Sequence, residues 1–118
     1  METRRTQRVS DAIRHEVADI LQRQVKDPRI GFVTVTGVEV SADLRVARVF
    51  YTVLGSARDE TVKGLRSAGP FIRRELGRRL RLKAVPEVRF EYDESTDRGF
   101  RMDEILEGLR DGREEPDP

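Results

Sequence analysis

Between Arg73 and Arg81 the chain places Arg73, Arg74, Arg78, Arg79 and Arg81, and Lys63, Arg66 and Lys83 extend the run on either side. Glu75 is the one acidic residue from 62 to 83. A guanidinium is a rigid fork of N–H donors matched to phosphate oxygens, so a cluster of this kind suits a polyanion. A merely solvated helix face would mix signs to gain i,i+4 ion pairs, and a single glutamate cannot supply them. At about 100° per residue, with Ile72, Leu76 and Leu80 as the inner stripe, Arg74, Arg78 and Arg81 project from the opposite face and Arg73 from its flank. Arg79 falls near the apolar side, where its stem would lie along the helix edge. Arg73, Arg74, Arg78, Arg81 and Lys83 are therefore the first candidates for contact with a phosphate backbone. Arg4, Arg5 and Arg8 at the N-terminus form a second group, for which a solubilising chain end is the competing reading, and Arg45, within the second of two strand-like runs, is a further candidate.

Other chemistry has less support. His15 is the only histidine, and no neighbour is suited to orient it as a general base. Asp93, Glu94 and Asp97 share a polar loop, but their spacing is not that of a calcium loop, and "DESTD" reads as turn-making and capping. The chain has no cysteine, which excludes disulfides, thiolate nucleophiles and thiolate metal sites. No nucleotide-binding or metalloprotease motif occurs. The expectation is a non-enzymatic protein with no cofactor, metal or small-molecule substrate; a small hydrolase built on the acidic loop is the alternative.

A length of 118 residues suits one domain. The net charge of +1 conceals strong polarity. Residues 62 to 83 carry eight basic side chains against Glu75, whereas the stretch from 84 onward carries twelve acidic and five basic. Such separation steers a molecule toward a polyanion. No apolar run is long enough to span a bilayer and "METRRTQRVSD" lacks a signal core, so a cytoplasmic protein without membrane association is expected. No spare apolar stripe is evident, so a monomer is expected.

These residues need elements to position them. Val9, Ile13, Val17, Leu21 and Val25 mark an amphipathic helix, with Thr6 or Ser10 as its cap and Asp27-Pro28 as its end. "FVTVTGVEV" and "LRVARVFYTVL" around "SAD" read as an antiparallel hairpin. The apolar parity of the first run changes near Thr36-Gly37, which predicts a β-bulge there. In the second, Ala47, Val49, Tyr51 and Val53 face the core. Val62, Leu65 and Ala68 start a helical stripe that Gly69-Pro70 interrupts, and Ile72, Leu76 and Leu80 start another, so two helices meeting at an angle are expected. "VPEVRFEYD" alternates as a third strand. Met102, Ile105, Leu106 and Leu109 allow a short last helix. Residues 1–110 are read as one domain and 111–118 as a disordered acidic tail.

The order helix, strand, strand, helix, kink, helix, strand resembles a type II KH domain, an α+β fold with a three-stranded mixed sheet packed against helices. "KDPRIG", the "VSADL" turn, "FIRRELG", "LRLKAVPEVRFEYDES" and "MDEILEGL" are together similar to the ribosome-binding factor A family of bacterial small-subunit assembly factors, over nearly the whole chain to about Leu109. The resemblance implies a non-enzymatic protein that binds the immature small ribosomal subunit and its rRNA near the decoding region. It also implies support for late rRNA processing and for growth in the cold. KH domains usually clamp nucleic acid with a GxxG loop; this family has an Ala-x-Gly helix kink instead, which falls on Ala68, Gly69 and Pro70. Proline here replaces the family's last glycine. A general KH-type module for single-stranded RNA or DNA is the alternative.

Overall fold

The computed structural model describes residues 3–54 and 58–95. Its elements are α1 (Arg4–Arg23), β1 (Phe32–Val40), β2 (Val46–Leu54), α2 (Arg58–Leu80) and β3 (Glu87–Tyr92). β1 and β2 form the expected hairpin, β3 pairs parallel to β2, and the sheet order is β1-β2-β3. The two helices bury their apolar stripes on one face of this sheet. Ile13, Val17 and Ile20 of α1, Val35, Val40, Ala47 and Val49 of the sheet, and Ile72 and Leu76 of α2 form the core. Each fully buried aliphatic side chain contributes about 1.5–3 kcal/mol of hydrophobic stabilisation.

The first helix starts earlier and stops sooner than its sequence suggests. Thr3, not Thr6 or Ser10, is the N-cap: the Thr6 N–H donates to Thr3 Oγ1 and the Thr3 N–H donates back to Thr6 Oγ1 at 2.7 Å. Thr6 and Ser10 are buried instead, facing inward with Ile13 and Val17. The helix ends at Arg23, before Asp27-Pro28. Those two residues make a separate turn, in which the Ile30 N–H donates to the Asp27 carbonyl at 3.0 Å. The Arg29 side chain and N–H both donate to the Asp27 carboxylate, holding its pKa down at about 2.

The bulge sits where the parity change places it. Val35 pairs with Tyr51 and Gly37 with Phe50, leaving Thr36 as the extra residue. Its Oγ1 donates to Asp93 Oδ2 at 2.6 Å, just beyond β3. Leu44 belongs to the hairpin turn rather than to the second strand, with φ of 61°. Ser41 Oγ accepts from the N–H groups of Arg45 and Val46 and holds that turn.

The expected pair of angled helices is a single helix, α2, with Pro70 inside it. Proline removes one N–H and crowds the preceding turn, usually at a cost of about 3 kcal/mol. Burial on both sides opposes that cost: Thr61, Leu65, Ile72 and Leu76 are all buried. The two stripes read from the sequence are in helical register with each other across Pro70, so a continuous helix buries both on one core. α2 ends at Leu80. Arg81 follows with a left-handed φ of 53°, and the Leu82 N–H reaches back to the Gly77 carbonyl at 3.2 Å. This is a Schellman-type stop with arginine where glycine is usual.

The described residues include no helix long and apolar enough to cross a membrane. The proposed last helix through Met102, Ile105, Leu106 and Leu109, the acidic tail, Asp97 and the boundary at residue 110 lie outside the described residues.

Candidate nucleic-acid interface

A groove of about 470 Å³ runs between α2 and β3. Arg66, Gly69, Pro70 and Arg73 line it from α2; Val88, Arg89 and Phe90 line it from β3. Tyr51 closes its floor, buried and edge-on to Phe90 and Tyr92 at ring distances of 6.3 and 5.7 Å. Burial pushes the Tyr51 hydroxyl pKa up. Arg73 sits on the flank predicted for it, and its Nη2 donates to the Val85 carbonyl at 3.0 Å, across the mouth of the groove. The Glu87 N–H donates to the Arg45 carbonyl, which brings the hairpin turn beside the start of β3. Arg45 is exposed there, 3.8 Å from Asp43.

The glycines of α2 differ in what surrounds them. A Cβ on Gly64 would lie 2.6 Å from Ile30 Cγ1, and one on Gly77 would lie 2.6 Å from Val85 Cγ2. Both positions are glycine because other parts of the chain press against the helix. A Cβ on Gly69 would meet nothing within 4 Å. No other segment packs against that point, which opens onto the groove; the local pressure for glycine there is the Pro70 ring, which crowds a Cβ on the preceding residue of a helix. Ala68, beside it, is half-buried against the core.

The arginines of α2 separate into distinct surroundings. Arg74 and Arg81 are exposed, as is Lys83 beyond the helix, and none has an ion pair among the described residues. Arg66 is likewise exposed and unpaired, and sequence reasoning passed over it as a site residue. Its signal was its position seven residues before Arg73, which is the same flank of a continuous helix. Arg78 pairs with Glu75 at 2.8 Å, and that guanidinium lowers the Glu75 pKa. Arg79 is the exception. Its side chain is 20% exposed and its Nη1 lies 2.9 Å from Glu16 and 2.7 Å from Asp19, both on α1, while Nη2 donates to Gln24. Hydrogen bonding by Arg79 lowers the Asp19 pKa. Arg79 is thus a bridge between helices, so part of the α2 charge is neutralised from a distant segment.

Arg4, Arg5 and Arg8 occupy the exposed start of α1. Arg5 and Arg8, with Val9 and Ala12, line a second groove of about 460 Å³ whose other wall is Leu80 and Leu82. The N-terminal group therefore lies at the C-terminal end of the basic helix. His15 is exposed on α1, away from the core stripe. The acidic loop has structural partners: Asp93 accepts from Thr36 and Ser95, and Glu94 pairs with Arg58 at 2.5 Å. Arg58 also stacks 3.7 Å over the Tyr92 ring. Among the described residues no group of three potential ligands could hold a metal ion.

Sheet, helices and groove define a small KH-like α+β domain that sets a row of cations beside a cleft. The sequence profile of the family Ribosome-binding factor A matches residues 5–106. The chain is 48% identical over 105 residues to the Ribosome-binding factor A of Thioalkalivibrio sulfidiphilus, covering 87% of this chain and 81% of that protein. It belongs to the ribosome-binding factor A family. The crystal structure of the Thermus thermophilus member superposes with a TM-score of 0.68 at 23% identity, covering 74% of this chain and 94% of that one. A Thermus thermophilus homology model fitted into the cryo-EM map of a 30S complex superposes with a TM-score of 0.59 at 21% identity, covering 80% and 97%.

Proposed function

We propose that the protein is a non-enzymatic assembly factor that binds the free, immature small ribosomal subunit through its rRNA. In this reading it supports late rRNA processing and growth in the cold, acting as a cytoplasmic monomer. One observation carries it: Gly69 opens onto a groove flanked by Arg66 and Arg73, with Arg74 and Arg81 unpaired on the adjoining face. Unpaired guanidinium groups lose little on meeting phosphate, because no internal partner has to be released. Gly69 leaves room for a close approach of the sugar–phosphate backbone, since no other segment among the described residues fills that point. The Thermus thermophilus relative fitted into a 30S complex supports the choice of partner.

Pro70 does not end the helix, so the arginines on both sides of it keep fixed relative angles. Arg66 and Arg73 border the groove, while Arg74, Arg78 and Arg81 face outward. Arg78 is shared with Glu75 and would exchange that partner for phosphate.

Co-sedimentation with small subunits, measured against free single-stranded RNA of about 70 nucleotides to exceed one binding site, tests the reading. Enrichment on the subunit is expected; equal retention by any single strand would favour a general KH-type module instead. Replacing Arg74, Arg78 and Arg81 together by Glu should reduce subunit binding by about tenfold or more while the fold stays intact. Unchanged binding would remove the basic face from the mechanism.

A further inference from the structure

The seam between α1 and α2 changes character along its length. One flank of α1 carries, in order, Arg5, Arg8, Val9, Ala12, Glu16 and Asp19, at helical positions that look toward the end of α2. Where that flank is acidic it is closed, because Arg79 crosses from α2 to both carboxylates. Where it is basic, the opposite wall is Leu80 at the end of α2 and Leu82 just beyond it, and a groove of about 460 Å³ remains.

Neither Arg5 nor Arg8 has an ion-pair partner among the described residues. Asp11, three residues after Arg8, accepts a hydrogen bond from Gln7 at 3.0 Å. Val9, Ala12, Leu80 and Leu82 make the lining aliphatic between the two guanidinium groups. Arg81 stands between the two leucines in chain order, turned out of the helix by its left-handed backbone. Cations at the rim and an aliphatic floor suit a ligand with phosphates outside and a flat, weakly polar body inside.

We infer that this α1–α2 groove is a second RNA contact, in which Arg5 and Arg8 bind backbone phosphates and the aliphatic floor receives a ribose or base. The inference rests on the RNA-binding reading above. Continuity selects RNA over an acidic peptide: the outward face of α2, through Arg74 and Arg78, leads from Pro70 to the helix end, where Arg81 and this groove begin, over about 15 Å. RNA engaged at both ends gains from the effective concentration of the second contact.

The test is fluorescence anisotropy with a single-stranded RNA of about 12 nucleotides, titrated at several salt concentrations. Two phosphate contacts on a single strand are worth about 1.4 in the slope of log K against log salt. Arg5→Glu with Arg8→Glu should lower that slope by about this amount and weaken binding about tenfold at low salt. Ala12→Glu, which puts a carboxylate into the groove from a helix position, should weaken binding with Arg5 and Arg8 intact. If the charge reversals unfold the protein, Arg5→Gln with Arg8→Gln should show the same loss of slope. Unchanged slope and affinity in these variants, while reversal of Arg74, Arg78 and Arg81 still weakens binding, would overturn this groove and leave the broader reading standing. Absence of RNA binding by the unmodified protein would overturn both. Displacement of the RNA by an acidic amphipathic peptide that binds through the same arginines with higher affinity would overturn the choice of RNA.

Discussion

The two halves of the α1–α2 seam are built from the same kinds of residue and behave differently. At Glu16 and Asp19 the charge on α1 finds its opposite in Arg79, and the helices are tied together. A few residues earlier, Arg5 and Arg8 face leucines, and a cleft stays open. In this seam an arginine flanked by carboxylates of the other helix ties the fold together, and one that faces only leucines is left for another molecule. α2 divides in a similar way, with Arg79 engaged across the seam and Arg66 and Arg74 without an ion pair among the described residues.

The strongest way to break the contrast is Arg79→Glu, which would set a carboxylate among Glu16, Asp19 and Glu75. It should cause the largest loss of stability of any change described here, read as a lower urea midpoint, whereas Arg5→Glu with Arg8→Glu should leave that midpoint nearly unchanged. Equal effects would mean the two halves are not different in kind. Next come the glycines. Gly77→Ala drives a methyl into Val85 and should cost about 1–2 kcal/mol net of the gain in helix propensity. Gly69→Ala meets no atom of another segment, and its gain in helix propensity is offset by crowding against the Pro70 ring, so it should change stability by less than about 1 kcal/mol, yet weaken RNA binding. A Gly69→Ala protein destabilised beyond that range would place the reason for that glycine inside the fold.

The smallest effect is in pH. Asp19 and Glu75 have pKa values below their ordinary ones, so their contribution is complete above those ordinary values. It is lost as the pH falls below about 4 and protonation proceeds through the lowered values. Arg79→Met should flatten the Asp19 share of this limb and leave most of the Glu75 share, which Arg78 holds. Asp27, held at about 2 by Arg29, lies outside the seam and should keep its own share of the limb under Arg79→Met, a share that Asp27→Asn would remove. Urea midpoints measured from pH 6 down to about 2 would separate the two.

Features set by local pattern were legible in the sequence. The hairpin, the bulge at Thr36, the inward set Ala47, Val49 and Tyr51 and the alternation of β3 all follow from a period of two and its interruption. Pro70 reads as a boundary because the local rule for proline is strong, while the burial that overrides it is distributed over Leu65, Ile72 and Leu76. Arg79 falls near the apolar side in sequence and structure alike, but its partners are about sixty residues earlier in the chain and no local period points to them. The grooves were not legible, since each needs two elements brought together by the sheet. Only the arginines of one wall announced them.

The parallel pairing of β3 with β2 has a kinetic consequence. β1 and β2 meet across a turn of a few residues, whereas Val46 and Glu87, partners in the β2–β3 ladder, are separated by the whole of α2. Closing that longer loop costs about 2 kcal/mol more chain entropy than closing the hairpin. Assembly should therefore run from the hairpin and helices toward β3, and the α2–β3 groove should be the last part to form and the first to open. Amide hydrogens of β3 should exchange faster than those at the centre of β2, leaving a cleft that can yield to an incoming strand while the rest of the domain stays folded.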